Sequence, residues 1–545
     1  MTSEHKLQVD HIDKPEVVHD DVQSDASSIK DDVAKVILQD AKDASKDEHE
    51  TSFREALKLH KKAVFWAVVM SLTIVMEGYD NILMSSFFGY PSFQQKYGEL
   101  TAEGTYELAG RWQSALGAAS SCGLIIGNFM NGYLTEKFGH RMVILVSLVV
   151  MSAFIFITFF AKNVETLVIG QVFCGIPWGV FSTMGPSYSS EVLPLHLRGY
   201  LTAYVNCCWA MGQFVAAGVL RGLVSNTSEW GYRIPFAIQW AWPVPLFLLT
   251  LFAPDSPWWL VRKGRHEDAI KSVKRLTDGS THFKAHQQVA LMIHTNEMER
   301  EKEKAENKGV RSYLECFRGP NLRRTEISSI VFAGQTLSGT AIAYSPSYFF
   351  RQAGLNPSDT YKLNLGVTAI AFTGTVCSWF LINRLGRRTI YVGGYAVLTL
   401  ILLLIGILAA PAESNSNVKW GQSALCLIWV ATYALTIGPL AFTITSEMSA
   451  TRLRIQTISI ARNTYNLVQL ISHIVEPYLI NPTEANLKGK TALVWFGTAF
   501  PTLVWSYFRL PETKGRTYDE LDVLFEKRVS ARKFGGYELD KEDEI

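Results

Sequence analysis

Twelve apolar segments of about twenty residues dominate this chain of 545 residues. That is the length an α-helix needs to cross a hydrocarbon core roughly 30 Å thick. A segment such as 142–161 has no polar face to show to water, which argues against a large soluble protein with buried helices. The sequence therefore predicts an all-α membrane protein with twelve transmembrane helices, numbered here as spans one to twelve. They lie at 63–84, 110–132, 142–161, 166–190, 199–222, 236–254, 326–350, 363–383, 389–410, 420–446, 455–478 and 490–509.

Charged residues collect in two tails and one central block, although they make up only 19% of the chain. The acid-rich segment 1–62 is expected to be a disordered tail. Residues 255–325 are expected to form a central loop with short helices, and 510–545 a second tail. Bases cluster before span one and after spans two and eight, so both tails and the central loop are placed in the cytoplasm. Because no basic start with a short apolar core opens the chain, no cleavable signal peptide is expected.

The chain lacks the sequence marks of an enzyme. Its seven cysteines match neither a disulfide framework nor a zinc site, and they are interpreted as free, mostly buried thiols. It has no P-loop, no G-x-S-x-G elbow and no H-E-x-x-H motif. A formal net charge of +2 implies no polyanionic partner such as nucleic acid. No enzymatic activity, cofactor or metal is therefore expected.

An internal repeat divides the spans into two halves. Span four ends in "SSEVLPLHLRG" and span ten in "TSEMSATRLRI", so that Glu191 and Arg198 match Glu447 and Arg454 at a displacement of 256 residues. Two six-helix repeats with matching acids and bases are typical of a transporter built from parallel repeats.

Short basic loops also repeat, as "EKFGHR" after span two and "NRLGRR" after span eight. Either loop alone could be an ordinary turn on the positive side of the membrane. Together with the repeated glutamates, they predict that each glutamate pairs with a loop arginine and latches the inner gate. Such latches would have to break for inward opening. The candidate gate residues are Glu136, Arg141, Glu191, Arg198, Arg384, Arg388, Glu447 and Arg454.

Two carboxylates, Glu77 and Asp80, stand three residues apart in span one and share one helical face. A carboxylate near the centre of a spanning helix costs about 2.5–3.5 kcal/mol on insertion scales. A carboxyl group that binds a proton when dry and releases it when wet is what proton-coupled transport requires. The alternative is that Asp80 lies high enough to be an ordinary acid at the outer interface.

Residues 63–515 resemble a sugar porter of the major facilitator superfamily. The matching features are the two loops, the two Glu-x6-Arg motifs, "PDSPWWL", "GQTLSG" and "PETKG". The stretches "MEGYD", "GYPSFQQKYG", "GQVFCGIPWG" and "RVSARKF" resemble those of the fungal α-glucoside or maltose permeases. The resemblance implies the major facilitator fold with bundles at 63–254 and 326–509. It also implies a multi-pass plasma-membrane protein, acting as a monomer, with sugar and protons as its partners.

The resemblance further implies a sugar site midway across the membrane. Sugar hydroxyls call for amides, and the flat sugar faces call for aromatic rings. The alternative for each amide is a hydrogen bond between helices, worth roughly 0.6 kcal/mol. The candidate sugar-binding residues are Asn206, Gln213, Gln335, Thr336, Phe442, Tyr465 and Asn466.

In the same resemblance Asp80 matches the acid of hexose–proton symporters, and Glu77 the extra acid of the α-glucoside branch. Two departures bear on coupling. Gln171 stands where hexose symporters carry an arginine, and Leu124 where many maltose permeases carry a third acid.

The expected function is proton-coupled import of an α-glucoside or other oligosaccharide of the maltose, sucrose or raffinose type. An uncoupled sugar facilitator and a sugar sensor remain as alternatives. Asn226, in an Asn-x-Ser/Thr sequon between spans five and six, is expected to face outside and is a candidate glycosylation site.

Overall fold

The computed structural model describes residues 53–100, 104, 106–278, 285–293, 296, 310–341, 355–412, 416–450, 453–480, 484–514, 516 and 518–537. Spans one to six are formed by the helices Lys61–Ser71 with Ile74–Phe87, Gly110–Phe138, His140–Phe159, Val164–Val192, Leu195–Leu223, and Trp230–Ile238 with Pro243–Thr250. Spans seven to twelve are formed by Gly319–Leu337, Pro357–Arg384, Arg387–Ala412, Ser416–Leu435 with Ile437–Met448, Arg454–Ile480, and Thr491–Arg509.

Shorter elements flank the spans. The α-helices are Phe53–Leu59, Pro91–Tyr97, Pro257–Arg262, His266–Leu276, Val310–Glu315 and Tyr518–Glu526. The 3-10 helices are Gln239–Ala241, Lys488–Lys490 and Ala531–Gly536. Strands Glu99–Leu100 and Tyr106–Glu107 pair as a small antiparallel hairpin.

Phe53–Leu59 is helical, although the sequence analysis assigned it to the disordered tail. The helix forms because Ala56 is buried in the same apolar cluster as Leu193 and Leu197, which gives the segment a core to pack on. Lys61 and Lys62, the last residues of the expected tail, begin the first helix of span one, and residues 1–52 lie outside the described residues.

Three predicted spans are interrupted helices. Span one breaks at Leu72 and Thr73, and the Thr73 hydroxyl donates to the Met70 carbonyl over 2.7 Å. Span six passes through the 3-10 turn Gln239–Ala241, and span ten breaks at Thr436. Hydropathy averaged over a span does not reveal such breaks, because Thr73, Gln239 and Thr436 are single polar residues that change the average of their span only slightly.

Six of the described helices are long and apolar enough to cross a membrane. Their outward surfaces carry large apolar side chains, such as Phe380 at 71% and Val146 at 56% exposure. In a soluble protein such a surface would be an aggregation liability, whereas hydrocarbon solvates it.

Spans two and four touch backbone to backbone through two matched glycine pairs, Gly123/Gly127 and Gly175/Gly179. A Cβ added at Gly127 would lie 2.0 Å from the Ile176 carbonyl oxygen, and one added at Gly179 would lie 2.9 Å from the Gly127 Cα. Small residues four apart allow this approach and replace the missing hydrophobic drive between helices in lipid. The first half is therefore tightly packed around this pair.

The two halves meet where span two packs against span eleven and span five against span eight, and hydrogen bonds join them. The Ser114 hydroxyl of span two donates to the Ile474 carbonyl of span eleven over 2.9 Å. The Tyr361 hydroxyl of span eight donates to the Ser86 carbonyl of span one over 2.8 Å. These bonds frame the space between the halves.

Replacing Gly127 with Val should lower the melting temperature of the purified protein, because the added side chain overlaps the span-four backbone. Overpacking of this kind costs about 1–3 kcal/mol. Gly132→Val is the matched control, since it lies on the same helix and a Cβ there meets nothing within 4 Å. Equal melting temperatures for the two variants in a detergent thermal scan would contradict the proposed close packing.

Candidate functional site

A cavity of about 980 Å³ runs along spans one, two, seven and eleven, and we call it the acidic cavity because Glu77, Asp80 and Glu476 line it. It reaches Trp178 of span four at one end. Its other polar lining residues are Asn81, Ser85, Gln113, Ser120, Thr336, Thr340, Gln469, Ser472 and His473.

Asp80 is held by span six. Its carboxylate is only 3% exposed and accepts a hydrogen bond of 2.6 Å from Gln239, which sits in the 3-10 turn of that span. The neighbouring Tyr79 donates to the Pro235 carbonyl over 2.9 Å, which fixes the two spans against each other. The buried Gln171 lies beside Asp80 but outside standard hydrogen-bond geometry. Neutral amides therefore replace a fixed counter-ion at Asp80.

Glu77 faces a cation from the other half. Arg462 of span eleven is close enough to interact electrostatically with Glu77. Its guanidinium carbon lies 5.5 Å from the ring centroids of Phe332 and Phe442 and 5.3 Å from that of Tyr465. Three aromatic faces stabilise a cation where water is scarce. The two rings expected to bind sugar thus contact Arg462.

The predicted amides do not gather in one place. Thr336 lines the acidic cavity, whereas Asn206 and Gln213 line a smaller cavity of about 480 Å³ between spans one, five, eight and ten. Gln335 is buried and donates to the Gly438 carbonyl over 2.8 Å, which matches the alternative of a bond between helices. Asn466 is buried at 2% exposure.

Several of these buried groups have no hydrogen-bond partner among the described residues. They are the Gln213 amide nitrogen, the Asn466 amide nitrogen and the Thr336 hydroxyl. A buried polar group without a partner costs about 1–3 kcal/mol. A ligand hydroxyl in the acidic cavity could satisfy Thr336, and one in the smaller cavity could satisfy Gln213.

Glu191 is the centre of a polar network at the inner end of span four. It accepts from Arg262 over 2.6 Å and from the Ser256 hydroxyl. His140 lies 3.8 Å away, and it begins span three directly after Gly139, whose φ of +82° makes the turn. Arg262 therefore places a permanent positive charge beside the partly buried Glu191 carboxylate.

Glu447 is the centre of the matching network in the second half. Arg387 donates to it through Nη2 and Nε over 3.1 and 3.2 Å, and the Thr513 hydroxyl donates over 2.5 Å. The first backbone N–H groups of span nine, those of Arg387 and Arg388, donate to the Glu512 carboxylate over 2.8 and 3.2 Å. A carboxylate at a helix N-terminus satisfies donors that the helix leaves open.

The expected pairing of each glutamate with a loop arginine needs correction in the first half. Glu191 pairs with Arg262, which follows span six, because Arg141 is turned away and donates to the Leu251 carbonyl over 2.5 Å. In the second half a loop arginine does pair with Glu447, but it is Arg387.

The remaining gate candidates make other contacts or none that can be described. Arg388 donates to the Tyr507 carbonyl over 2.9 Å, and Arg384 is exposed. The Glu136 carbonyl accepts from the Trp259 indole over 3.0 Å. The side chains of Arg198 and Arg454 lie outside the described part of the chain.

The two networks share a repeat that the sequence analysis missed. "PDS" at 254–256 and "PET" at 511–513 are equivalent tripeptides separated by 257 residues. They begin the motifs "PDSPWWL" and "PETKG" of the sequence analysis, which did not align them. The alignment matches Ser256 to Thr513, each of which donates to the glutamate of its half. It also matches Asp255 to Glu512. Burial raises the pKa of Asp255, although Arg141 opposes the shift.

Four further residues at the site were also missed, although a signal for them was present. Gln239, Arg462, His473 and Glu476 are polar or ionisable residues inside predicted spans. Such residues usually face the bundle interior and mark a pathway. The same criterion had selected Glu77 and Asp80.

Relatives in yeast align with nearly the whole chain. The general alpha-glucoside permease of Saccharomyces cerevisiae is 38% identical over 503 residues, covering 92% of this chain and 81% of the relative. The maltose permease MAL31 of the same organism is 36% identical over 508 residues, covering 92% and 82%.

Solved structures share the fold. The major facilitator superfamily proton:xylose symporter XylE, bound to 6-bromo-6-deoxy-D-glucose, gives a TM-score of 0.70 at 21% identity, covering 86% of this chain and 100% of that one. The inward open conformation of the xylose transporter XylE from E. coli gives 0.63 at 21% identity, covering 85% and 99%. The predicted twelve-span major facilitator fold is therefore confirmed. With a family model matching residues 66–525, this multi-pass membrane protein belongs to the family described as "Sugar (and other) transporter".

Proposed function

We propose that this protein imports an α-glucoside or other oligosaccharide across the plasma membrane by proton symport. Sugar is the substrate class of its family, and the yeast relatives are named for α-glucosides and maltose. The observation that carries the proposal is the acidic cavity, which places two span-one carboxylates beside a polar lining suited to hydroxyl groups.

Asp80 is the proposed proton carrier. Its ionised form is held in a buried position by one amide, Gln239, and a charge so held is costly. A proton removes that cost while the cavity is dry, and hydration restores the charged form. Glu77 shares the cavity wall and lies near Arg462, and the two acids are proposed to share one proton.

Alternating access is proposed to occur by rocking of the two halves. The described hydrogen-bond partners of Glu191 are Ser256 and Arg262, which both follow span six. Those of Glu447 are Arg387, at the start of span nine, and Thr513, which follows span twelve. These bonds lie within each half and its adjoining loop. The networks are therefore proposed to keep each half rigid, in place of the expectation that they must break for inward opening.

An uncoupled facilitator is the second candidate. Leu124 lines the acidic cavity at the position where many maltose permeases carry a third acid. Gln171 lies beside Asp80 at the position where hexose symporters carry an arginine. Both departures weaken the acid–base set available for coupling. We further propose that both termini are cytoplasmic and that the monomer is the transporting unit.

Replacing Asp80 with Asn should abolish uphill sugar accumulation while downhill exchange continues, because the amide keeps the Gln239 contact but cannot titrate. Glu77→Gln should have the same effect to a smaller degree. The measurement is uptake of labelled maltose in a transport-null yeast in a mildly acidic medium, with and without a protonophore.

The double variant Asp80→Asn, Glu77→Gln tests whether the acidic cavity couples transport to protons. Full accumulation against a gradient by this variant would remove proton coupling from the acidic cavity. A wild type that only equilibrates the sugar, with or without the protonophore, would instead favour the facilitator.

Replacing Arg387 with Ala should slow transport and lower stability by about 1–3 kcal/mol, since Glu447 loses its cation. Sugar affinity should be preserved, because the pair lies outside both cavities. Arg384→Ala, in the same loop but exposed, is the control. Loss of sugar binding in a folded Arg387→Ala protein would contradict the proposed role.

Asn226 should carry glycan when the protein is made in a eukaryotic secretory pathway. Its side-chain oxygen accepts from the Ser228 N–H over 3.0 Å, which holds the sequon in an exposed turn. The measurement is the gel mobility of wild type and Asn226→Gln before and after glycosidase treatment. A protease-protection assay that places this loop in the cytoplasm would overturn the proposed orientation.

A further inference from the structure

Glu476 of span eleven has one carboxylate oxygen unaccounted for. The residue is 5% exposed and lines the acidic cavity. Its Oε2 accepts a hydrogen bond of 2.7 Å from the Trp495 indole of span twelve. Its Oε1 is buried and has no hydrogen-bond partner within the described residues. An oriented carboxylate thus presents a free acceptor at the cavity wall.

Gln113 of span two presents a second free acceptor. It is 1% exposed and lines the same cavity. Its amide nitrogen donates to the Leu108 carbonyl over 2.8 Å, which directs the amide oxygen away from that bond. This oxygen is buried and also lacks a partner in the part of the chain described. The neighbouring bond from Ser114 to the Ile474 carbonyl brings the two walls together at this level.

Along the axis of span eleven, the Glu476 acceptor lies well away from Asn466, one of the residues predicted to bind sugar. Glu476 follows Asn466 by ten residues on one helix, a separation of about 15 Å along its axis. The cavity continues between these levels along Gln469, Ser472 and His473. It is therefore longer than the site expected for one sugar ring.

Two free acceptors on the adjoining walls formed by spans two and eleven call for a ligand with several hydroxyl donors. A simple cation fits poorly, because Gln113 is neutral and Nδ1 of the nearby His473 is already engaged with the Gly117 carbonyl and the Ser121 hydroxyl. A neutral ring with hydroxyl groups on both edges fits both acceptors. Leaving them empty costs free energy that such a ligand would recover.

We propose that Gln113 and Glu476 form a subsite for the second ring of a di- or oligosaccharide. This inference rests on the proposed function and makes these residues determinants of chain-length specificity. Trp495 is a positioning residue, because it holds the carboxylate without lining the cavity.

The test compares maltose with methyl α-D-glucoside, which keeps the first glucosyl ring and lacks the second. Binding to the purified full chain in nanodiscs is measured by calorimetry. Glu476→Gln retains an oxygen for Trp495 but replaces the charged acceptor. Maltose affinity should fall about tenfold, as for one charge-assisted hydrogen bond, while methyl α-D-glucoside affinity is unchanged.

Two further variants guard against structural artefacts. Ser114→Ala removes a bond between the same walls without touching the cavity lining, so it should leave the ratio of the two affinities unchanged. Trp495→Phe frees Glu476 and should reduce maltose affinity selectively by a few-fold, which tests the subsite even if Glu476→Gln does not fold.

The outcomes separate the subsite from the proposed function. Three results for Glu476→Gln would each overturn the subsite. They are an equal loss of affinity for both sugars, no loss of affinity for either sugar, and a change in the pH dependence of binding without a loss of maltose affinity. A wild type that binds both sugars equally would also overturn it while leaving α-glucoside transport in place. A wild type that binds neither sugar would overturn the proposed substrate class, and the subsite with it.

Discussion

The cost of a bare charge inside an apolar bundle shapes the centre of this protein. An isolated carboxylate buried in a low-dielectric medium is strongly disfavoured, so each acid needs a partner or a proton. Here each acid has its partner on a different span, so these contacts determine which spans pack against each other. The pairs are Asp80 with Gln239, Glu77 with Arg462, and Glu476 with Trp495.

These partners differ in strength, which gives the acids different chemistry. Arg462 carries a permanent charge and is stabilised by three aromatic rings, so it can balance Glu77 in the ionised state. Gln239 offers Asp80 only a neutral amide. One cavity thus combines an acid near a cation, Glu77, with two acids, Asp80 and Glu476, whose hydrogen-bond partners are neutral.

The number and order of the spans, the repeat and the span-one acids could be predicted from sequence. Each depends on length, period or charge, which are properties of one segment. The partner of Glu191 could not be predicted, because the choice between Arg141 and Arg262 depends on where span six ends against span three. The division of Thr336 and Gln213 between two cavities likewise depends on how neighbouring helices pack.

The inner networks also set an order of assembly. Every described partner of Glu191 lies at or before Arg262, so the first half can complete its network while the second half is still being synthesised. The network of Glu447 is complete only once Thr513 has been made. During biosynthesis the protein therefore passes through a stage in which one repeat is finished and the other is still open.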